Sequence, residues 1–368
     1  MWCRLNLEEL VEPDHPLRAV KRMVDRALSE MSRSFSAAYA ANGRPGVPPE
    51  VLLKALLLQC QYSVRSEREI CRRTRTDMLF RWFLDMEPDA EVFDHAVFTH
   101  NRKRLEEHGL TGRFFDGVVR QAREPGLMSD EHFSVDGTLI QSHASLKSLK
   151  RIEREESGRD GDSTPPTSSG GRNAPVDLRG KRRSNATHPS STDPEARLAR
   201  KSEMVGAFLS HSVHAISENR HGLVVAVSGE EANGHAERES ALRMLGHMRR
   251  RHGVEPRTLG MDAGYDAGDF LSELERRGIV PHVPVRPGRI VPKDEGSLAR
   301  MRARMRRILP SYRVSQRRRK MIEEVFGWVK TVGLLRRVRH VGRKRIAQVT
   351  EMTMAAYNLV RVSRLLAT

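Results

Sequence analysis

Arg317-Arg-Arg-Lys-Met-Ile-Glu-Glu-Val-Phe-Gly-Trp-Val-Lys330 carries the features from which the rest of this 368-residue chain can be interpreted. Ile322, Val325, Phe326 and Val329 recur at i, i+3, i+4 and i+7, the spacing of one apolar helix face. Arg319, Glu323 and Lys330 fall at i, i+4 and i+11, together on another face. Taken alone, this is a surface helix with an ordinary Arg–Glu pair. Its surroundings argue otherwise. Between residues 300 and 345 there are 17 Lys and Arg against two acids, Glu323 and Glu324, so nearly all of the net charge of +17 sits in this segment. One acid among so many bases points to a cation site beside a phosphate backbone, and the basic excess points to nucleic acid as partner. A membrane surface would select an amphipathic face rich in Trp and Leu, which this segment lacks.

Outward from that segment, length and composition bound the class. The chain is long enough for two or three domains and a substantial core. Charged residues make up 30% and aromatics 5%, the balance of a soluble protein with a large polar surface. No run approaches the roughly 18 apolar residues of a membrane span, and the first ten residues lack the order of a signal peptide. A cytoplasmic protein is expected. Cys3, Cys60 and Cys71 are odd in number and form no CxxC pair, so reduced core thiols are expected.

Upstream, residues 15–31 form an amphipathic helix with Leu17, Val20, Val24, Ala27 and Met31 inward. A turn at 42–46 leads to a helix opening at Pro48-Pro49, and Ser66-x-x-Glu69 caps another. Residues 78–84 are too apolar to be exposed. Residues 99–105 form a short basic helix containing Arg102 and Lys103, either the groove-binding helix of a helix-turn-helix or a solvated charged face. The register changes near 130: residues 132–140 are strand-like on both sides of Asp136. The tract from about 148 to 202, rich in Ser, Gly, Pro and Arg, has the composition of a disordered insertion. Beyond it follow strands at 208–216 and 222–227, a helix at 238–248, a strand at 257–262, a helix at 267–278, a strand at 279–285, and a last helix at 346–366. This order predicts a mixed sheet with helices on both faces, preceded by an all-helical part: residues 1–125 as a helical domain and 126–368 as the sheet domain.

Asp136 lies within the first strand, Asp262 ends a later one, and Glu323 is on the helix quoted first. These acids converge only if the fold brings two strands and one helix face together, as a ribonuclease H-like sheet does when its first and fourth strands are neighbours. Oxygen-only ligands select Mg²⁺ or Mn²⁺, and two such ions suit in-line displacement at a phosphodiester. Arg319 and Lys330 are placed to hold phosphate oxygens, with Arg317, Arg318, Arg102 and Lys103 as further phosphate contacts. Arg302, Arg304, Arg306 and Arg307 are expected on the DNA backbone. Asp136 and Asp262 could each be a turn acid, since small residues follow both. Asp266 competes with Asp262, and Glu324 with Glu323; the strand end favours Asp262, and alignment with Arg319 and Lys330 favours Glu323.

Four stretches carry a family resemblance: Asp14-His-Pro-Leu-Arg18, Tyr62-Ser-Val-Arg-Ser-Glu-Arg68, Phe133-Ser-Val-Asp-Gly-Thr138, and Arg319-x-x-x-Glu323-x-x-Phe326-x-Trp328-x-Lys330. Gly264-Tyr265-Asp266 and Glu218-Asn-Arg-His-Gly-Leu-Val224 add to it. In these the chain resembles bacterial insertion-sequence transposases of the DDE type, within the group that has a Tyr-Arg-Glu-Lys signature. The resemblance implies a ribonuclease H-like core, Asp136, Asp262 and Glu323 as catalytic triad, and an N-terminal helical domain that helps bind terminal inverted repeats. It implies metal-dependent strand cleavage and strand transfer, on two element ends held by a homodimer. Two departures stand out: Gln316 occupies the signature's Tyr position, and Ala263 stands where relatives often carry Lys. A ribonuclease H-like nuclease that cuts without joining, or a non-catalytic DNA-binding derivative, are the competing functions.

Overall fold

The computed structural model describes residues 5–39, 46–152, 175–178, 181–201, 204, 206–234 and 236–367. Cys3 and most of the turn expected at 42–46 lie outside these residues. The chain begins with eight helices: α1 (Leu7–Leu10), α2 (Pro16–Ser29), α3 (Ser32–Ala38), α4 (Pro49–Gln61), α5 (Glu67–Thr76), α6 (Met78–Phe83), α7 (Ala96–Glu107) and α8 (Leu110–Arg123). Local chemistry sets their starts. His15 Nδ1 accepts from the Leu17 N–H at 3.2 Å ahead of Pro16, and Ser66 Oγ accepts from the Glu69 N–H at 3.1 Å. Arg18, the last residue of the first resemblance stretch, clamps the chain entering α2. Its guanidinium donates to the carbonyls of Glu8, Val11 and Glu12 at 2.7, 2.6 and 2.9 Å and lies over the Trp82 ring.

The sheet region follows as β1 (His132–Gln141), β2 (Val176–Leu178), β3 (Lys181–Arg183), β4 (Arg197–Ala199), β5 (Phe208–Glu218), β6 (Val224–Glu231), α9 (Ala236–His252), β7 (Thr258–Gly260), α10 (Gly268–Arg276), β8 (Val280–His282), α11 (Glu295–Arg306), α12 (Pro310–Arg318), α13 (Met321–Thr331) and α14 (Arg343–Leu366). β5 lies antiparallel to β1, and β6 and β4 both pair antiparallel with β5. On the other side of β1, β7 and then β8 run parallel to it. Three antiparallel strands followed by two parallel ones, with the first strand central, is the ribonuclease H-like order. In the β5–β6 turn the buried Glu218 carboxylate accepts from the N–H groups of Arg220 at 2.7 Å and His221 at 2.5 Å, which accounts for the acid that opens the 218–224 stretch.

One hydrophobic core runs through the helical part and the sheet, taking in Leu53, Val119, Ile216 and Leu359. α14 makes this continuity, packing against α2, α4 and α8 as well as against β5 and β6. Its buried Asn358 donates to the Val224 carbonyl at 2.7 Å and accepts the Val224 N–H at 2.9 Å. Where α10 meets α11 the backbones nearly touch, since a Cβ on Gly268 would stand 2.8 Å from Gly296 C.

Three expectations change. Residues 317–330 are not one helix: α12 ends at Arg318 and α13 begins at Met321. Between them Arg319 and Lys320 keep right-handed helical dihedrals while the bonding tightens to i→i−3, as from the Glu323 N–H to the Lys320 carbonyl. Two helices, α11 and α12, also stand between the last strand and α13, where none was expected. Of the tract from 148 to 202, residues 153–174, 179–180 and 202 lie outside the described residues, but residues 181–201 are folded. There β3 pairs with β2, β4 joins β5, and Leu149, Ala196 and Leu198 pack with Ala144 and Leu209 into a second small core. The tract is ordered by polar groups bonding one another, which composition does not reveal. Asp193, fully buried, accepts from Ser142 Oγ at 2.7 Å and lies 2.8 Å from His211 Nε2.

Candidate active site

The parallel pairing of β1 with β7 ends at Ser134 opposite Gly260. Carrying that register on by two residues sets Asp136 beside Asp262, which lies just past the end of β7 on the same side, and the Asp262 charge is near enough to act on Asp136. α12 and α13 cross this side. Arg319, at their junction, reaches Asp136 Oδ2 with Nη1 at 3.3 Å and Glu323 Oε1 with Nη2 at 3.5 Å. The guanidinium thus joins Asp136 and Glu323, and Asp262 lies near enough to Asp136 for its charge to act on it. Lys330, further along α13, donates to Thr138 Oγ1 at 2.5 Å, on the same side of β1 as Asp136. Gln316 ties α12 to the strand ends, donating to the carbonyls of Met261 at 3.3 Å and His282 at 2.6 Å. The residue that departs from the family signature therefore holds the segment beside Asp262.

The electrostatics follow from this crowding. Burial pushes the Asp136 carboxyl up to about 6; the Gly137 N–H opposes this, the charge of Asp262 adds to it, and Arg319 only partly offsets the acids. Burial likewise lowers the Lys330 ammonium below its ordinary value, with Lys201 and Arg336 adding. The acids that competed for the site stand apart. Asp266 is fully buried, accepts two bonds of 2.7 Å from Arg300, and accepts the Arg286 N–H at 2.9 Å. Asp262, among the described residues, accepts only from the nearby Gly264 N–H, at 2.9 Å. Glu324 faces a groove formed with Val314, Arg317, Arg318, Lys320 and Met321. Among the described residues the oxygens of Asp136, Asp262 and Glu323 do not all come within 4.8 Å of one another.

Of the basic residues, Arg317 and Arg318 are exposed. Arg102 instead pairs with Glu67 of α5, and Lys103, exposed, lies 3.6 Å from Glu107. Three of the four arginines expected on DNA are engaged within the fold. Arg302 and Arg306 pair with Glu275, and Arg304 donates to the carbonyls of Arg286 and Gly288 at 2.8 Å.

Two family comparisons bear on this geometry. A transposase domain family (DUF772) matches residues 5–104, and a transposase DDE domain family matches residues 205–359, together more than two thirds of the chain and including Asp262 and Glu323. The chain belongs to the insertion-sequence DDE transposases. No curated protein matches it. Among solved structures this transposase is similar to a pre-cleavage Mos1 transpososome, with 11% identity over 88% of this chain and 82% of that one and a TM-score of 0.21. A Mos1 transposase paired-end complex with the left transposon end shows 11% identity over 89% and 90%, again at 0.21. Likenesses this weak carry no part of the assignment.

The role of Gly137 was not legible from spacing. It pairs across the sheet with His214, whose Nδ1 would lie 2.4 Å from a Cβ at residue 137. Asp136 is thus followed by a residue whose side the His214 ring already fills. Gly137→Ala in the transposase is expected to displace that ring and lower thermal stability by about 1–3 kcal/mol, measured by denaturant unfolding. Unchanged stability would mean the ring yields freely.

Proposed function

We propose that Asp136, Asp262 and Glu323 form the catalytic centre through which this transposase cuts at the ends of its element and joins them to target DNA, using two Mg²⁺ or Mn²⁺ ions. One observation carries the reading: Arg319 bridges Asp136 and Glu323 while the charge of Asp262 acts on Asp136, with too little positive charge to settle Asp136 as an ordinary carboxylate. The donors are all carboxylate oxygen, which fits a hard divalent cation. Bound there, such ions supply the charge that activates an attacking hydroxyl or water and stabilises the leaving oxygen. Arg319 orients Asp136 and Glu323 toward each other and relieves their repulsion. Lys330 is held by Thr138 through one N–H, leaving its others for a phosphate oxygen. Gln316 fixes α12 so that Arg319 stays over Asp136.

The Tyr-Arg-Glu-Lys grouping belongs to the same proposal, with Gln316 in the Tyr position, as do a cytoplasmic, nucleoid-associated location and a homodimer that holds two ends. Among the described residues no helix is long and apolar enough to cross a membrane. For DNA, the exposed Arg307, Arg313, Arg317, Arg318 and Lys320 have no carboxylate partner among the described residues, and Lys103 extends the surface to α7. Replacing Arg307, Arg313, Arg317 and Arg318 together by Ala is expected to reduce the slope of log affinity against log salt by roughly 3–4. Replacing Arg302 and Arg306 should instead lower stability through Glu275. An unaltered slope would take the first set off the DNA backbone.

The decisive assay uses purified protein, DNA containing the element ends and Mg²⁺. Strand cleavage followed by joining of precut ends to a target supports a transposase centre. Cleavage without joining would leave a nuclease, and end binding with neither activity would leave a DNA-binding derivative.

A further inference from the structure

We propose that Asp116, His247 and His252 bind one zinc-type divalent cation that braces α8 to α9, at a place separate from the three acids. Asp116 projects from α8, and the two histidines lie in the last part of α9. Both Nε2 atoms converge on the same oxygen, His247 at 3.0 Å and His252 at 3.2 Å from Asp116 Oδ1. Among the described residues this is the one set of three potential ligands whose atoms all lie within 4.8 Å of one another. Tetrahedral zinc with bonds of about 2.0–2.1 Å holds its ligand atoms about 3.3 Å apart, so the group is already at nearly that spacing.

A second observation points the same way. His252 has a side chain with no solvent exposure, and among the described residues neither of its ring nitrogens has a hydrogen-bond partner. A neutral imidazole carries one donor and one acceptor, and leaving both unmet in the interior is destabilising. Its Nε2 is close to the Asp116 oxygen yet off the line of a hydrogen bond. A cation between the two would use the Nε2 lone pair and the carboxylate together.

The surroundings complete a coordination site. The His247 side chain is 40% exposed, which gives an ion a route in and leaves a fourth position for water. Arg251 Nε lies 4.0 Å from Asp116 Oδ2, where it can steady the oxygen not facing the histidines. Glu351 of α14, half-buried, accepts from Thr111 Oγ1 at 2.6 Å on the same helix α8. Two imidazoles with one carboxylate select a borderline ion such as Zn²⁺, whereas the oxygen-only acids select a hard one. α8 belongs to the helical part and α9 to the sheet part, so the ion would cross-link them.

This inference stands apart from the proposed strand chemistry, and its test reads metal content and melting. The full-length protein is purified without chelator and analysed for zinc by mass spectrometry. Chelator-treated protein is then melted with and without added zinc chloride. One zinc per chain is expected in the wild type and in Asp136→Asn, and none in His247→Ala, whose half-exposed site should spare the fold. Zinc should raise Tm by several degrees in the wild type and leave His247→Ala unmoved. Asp116→Asn, close in shape, should lose zinc as well. Absence of both zinc and a melting shift in the wild type would overturn the proposal, as would zinc retained by His247→Ala.

Discussion

Asp136→Asn is expected to lower metal-dependent strand cleavage by about a thousandfold or more, while end binding stays within twofold of wild type. Removing one oxygen donor takes about 4 kcal/mol from the stabilisation of charge on the reacting phosphate, and each decade in rate is about 1.4 kcal/mol. The same substitution should make the metal-free protein more stable at neutral pH. The Asp136 carboxyl is raised by burial from its ordinary 3.8 to about 6, so between these values the folded state binds the extra proton. Wild type is therefore relatively stable below pH 4 and loses that advantage as pH rises through 6. The amide carries no such cost and should gain about 1–3 kcal/mol above pH 6. Melting in chelator at pH 5 and pH 8 measures this: the variant should gain on wild type between the two. Cleavage by the wild type should fall below pH 6 as a proton competes for the carboxylate, and higher metal should move that midpoint to lower pH. Full cleavage by Asp136→Asn would remove residue 136 from the centre.

Asp193→Ala is expected to destabilise the protein by about 3–5 kcal/mol, a larger loss than Gly137→Ala should cause. Asp193 has no solvent exposure and joins three parts of the chain. It accepts from Ser142 Oγ at the end of β1, meets His211 Nε2 on β5, and accepts the Gly342 N–H at 3.3 Å ahead of α14. Truncation leaves His211, itself fully buried, facing a void with its Nδ1 already lacking a partner. Burial would raise the Asp193 carboxyl, but the bonds from His211 and Ser142 outweigh it and hold it below its ordinary 3.8. Its stabilisation is thus present above pH 4 and fades as pH falls through the depressed value, so the gap between wild type and Asp193→Ala should narrow in acid. Denaturant unfolding at pH 7 and pH 3 reads both effects. A loss under 1 kcal/mol at pH 7 would mean the 181–201 segment does little to hold the sheet.

The alternation of most strands and helices, the strand around Asp136, and the likeness to DDE transposases were legible because they rest on local periodicity and short motifs. The β-branched and aromatic residues on both sides of Asp136 and the i, i+3, i+4, i+7 stripe of α13 are properties of a few successive residues. The break at Arg319–Lys320 was not, because the residues on either side all favour helix and only packing of α12 on β7 and β8 turns the chain. The fate of the arginines was equally hidden: Arg302 and Arg306 share Glu275, some thirty residues away, while Arg307 beside them has no carboxylate partner among the described residues.

By itself the sequence determined which residue types could hold a divalent ion, that the excess positive charge is gathered in one segment, and which elements alternate. The tertiary structure alone decided that Asp262 lies near enough to Asp136 for its charge to act on it, that Arg319 joins two of the acids, and that a polar tract folds around Asp193. It also brought Asp116 to two histidines more than a hundred residues away. The reason is physical: sequence pattern reports the environment of neighbouring residues, whereas ligand sets and buried polar networks are made by groups far apart in the chain, which meet only when the sheet order and helix crossings are fixed.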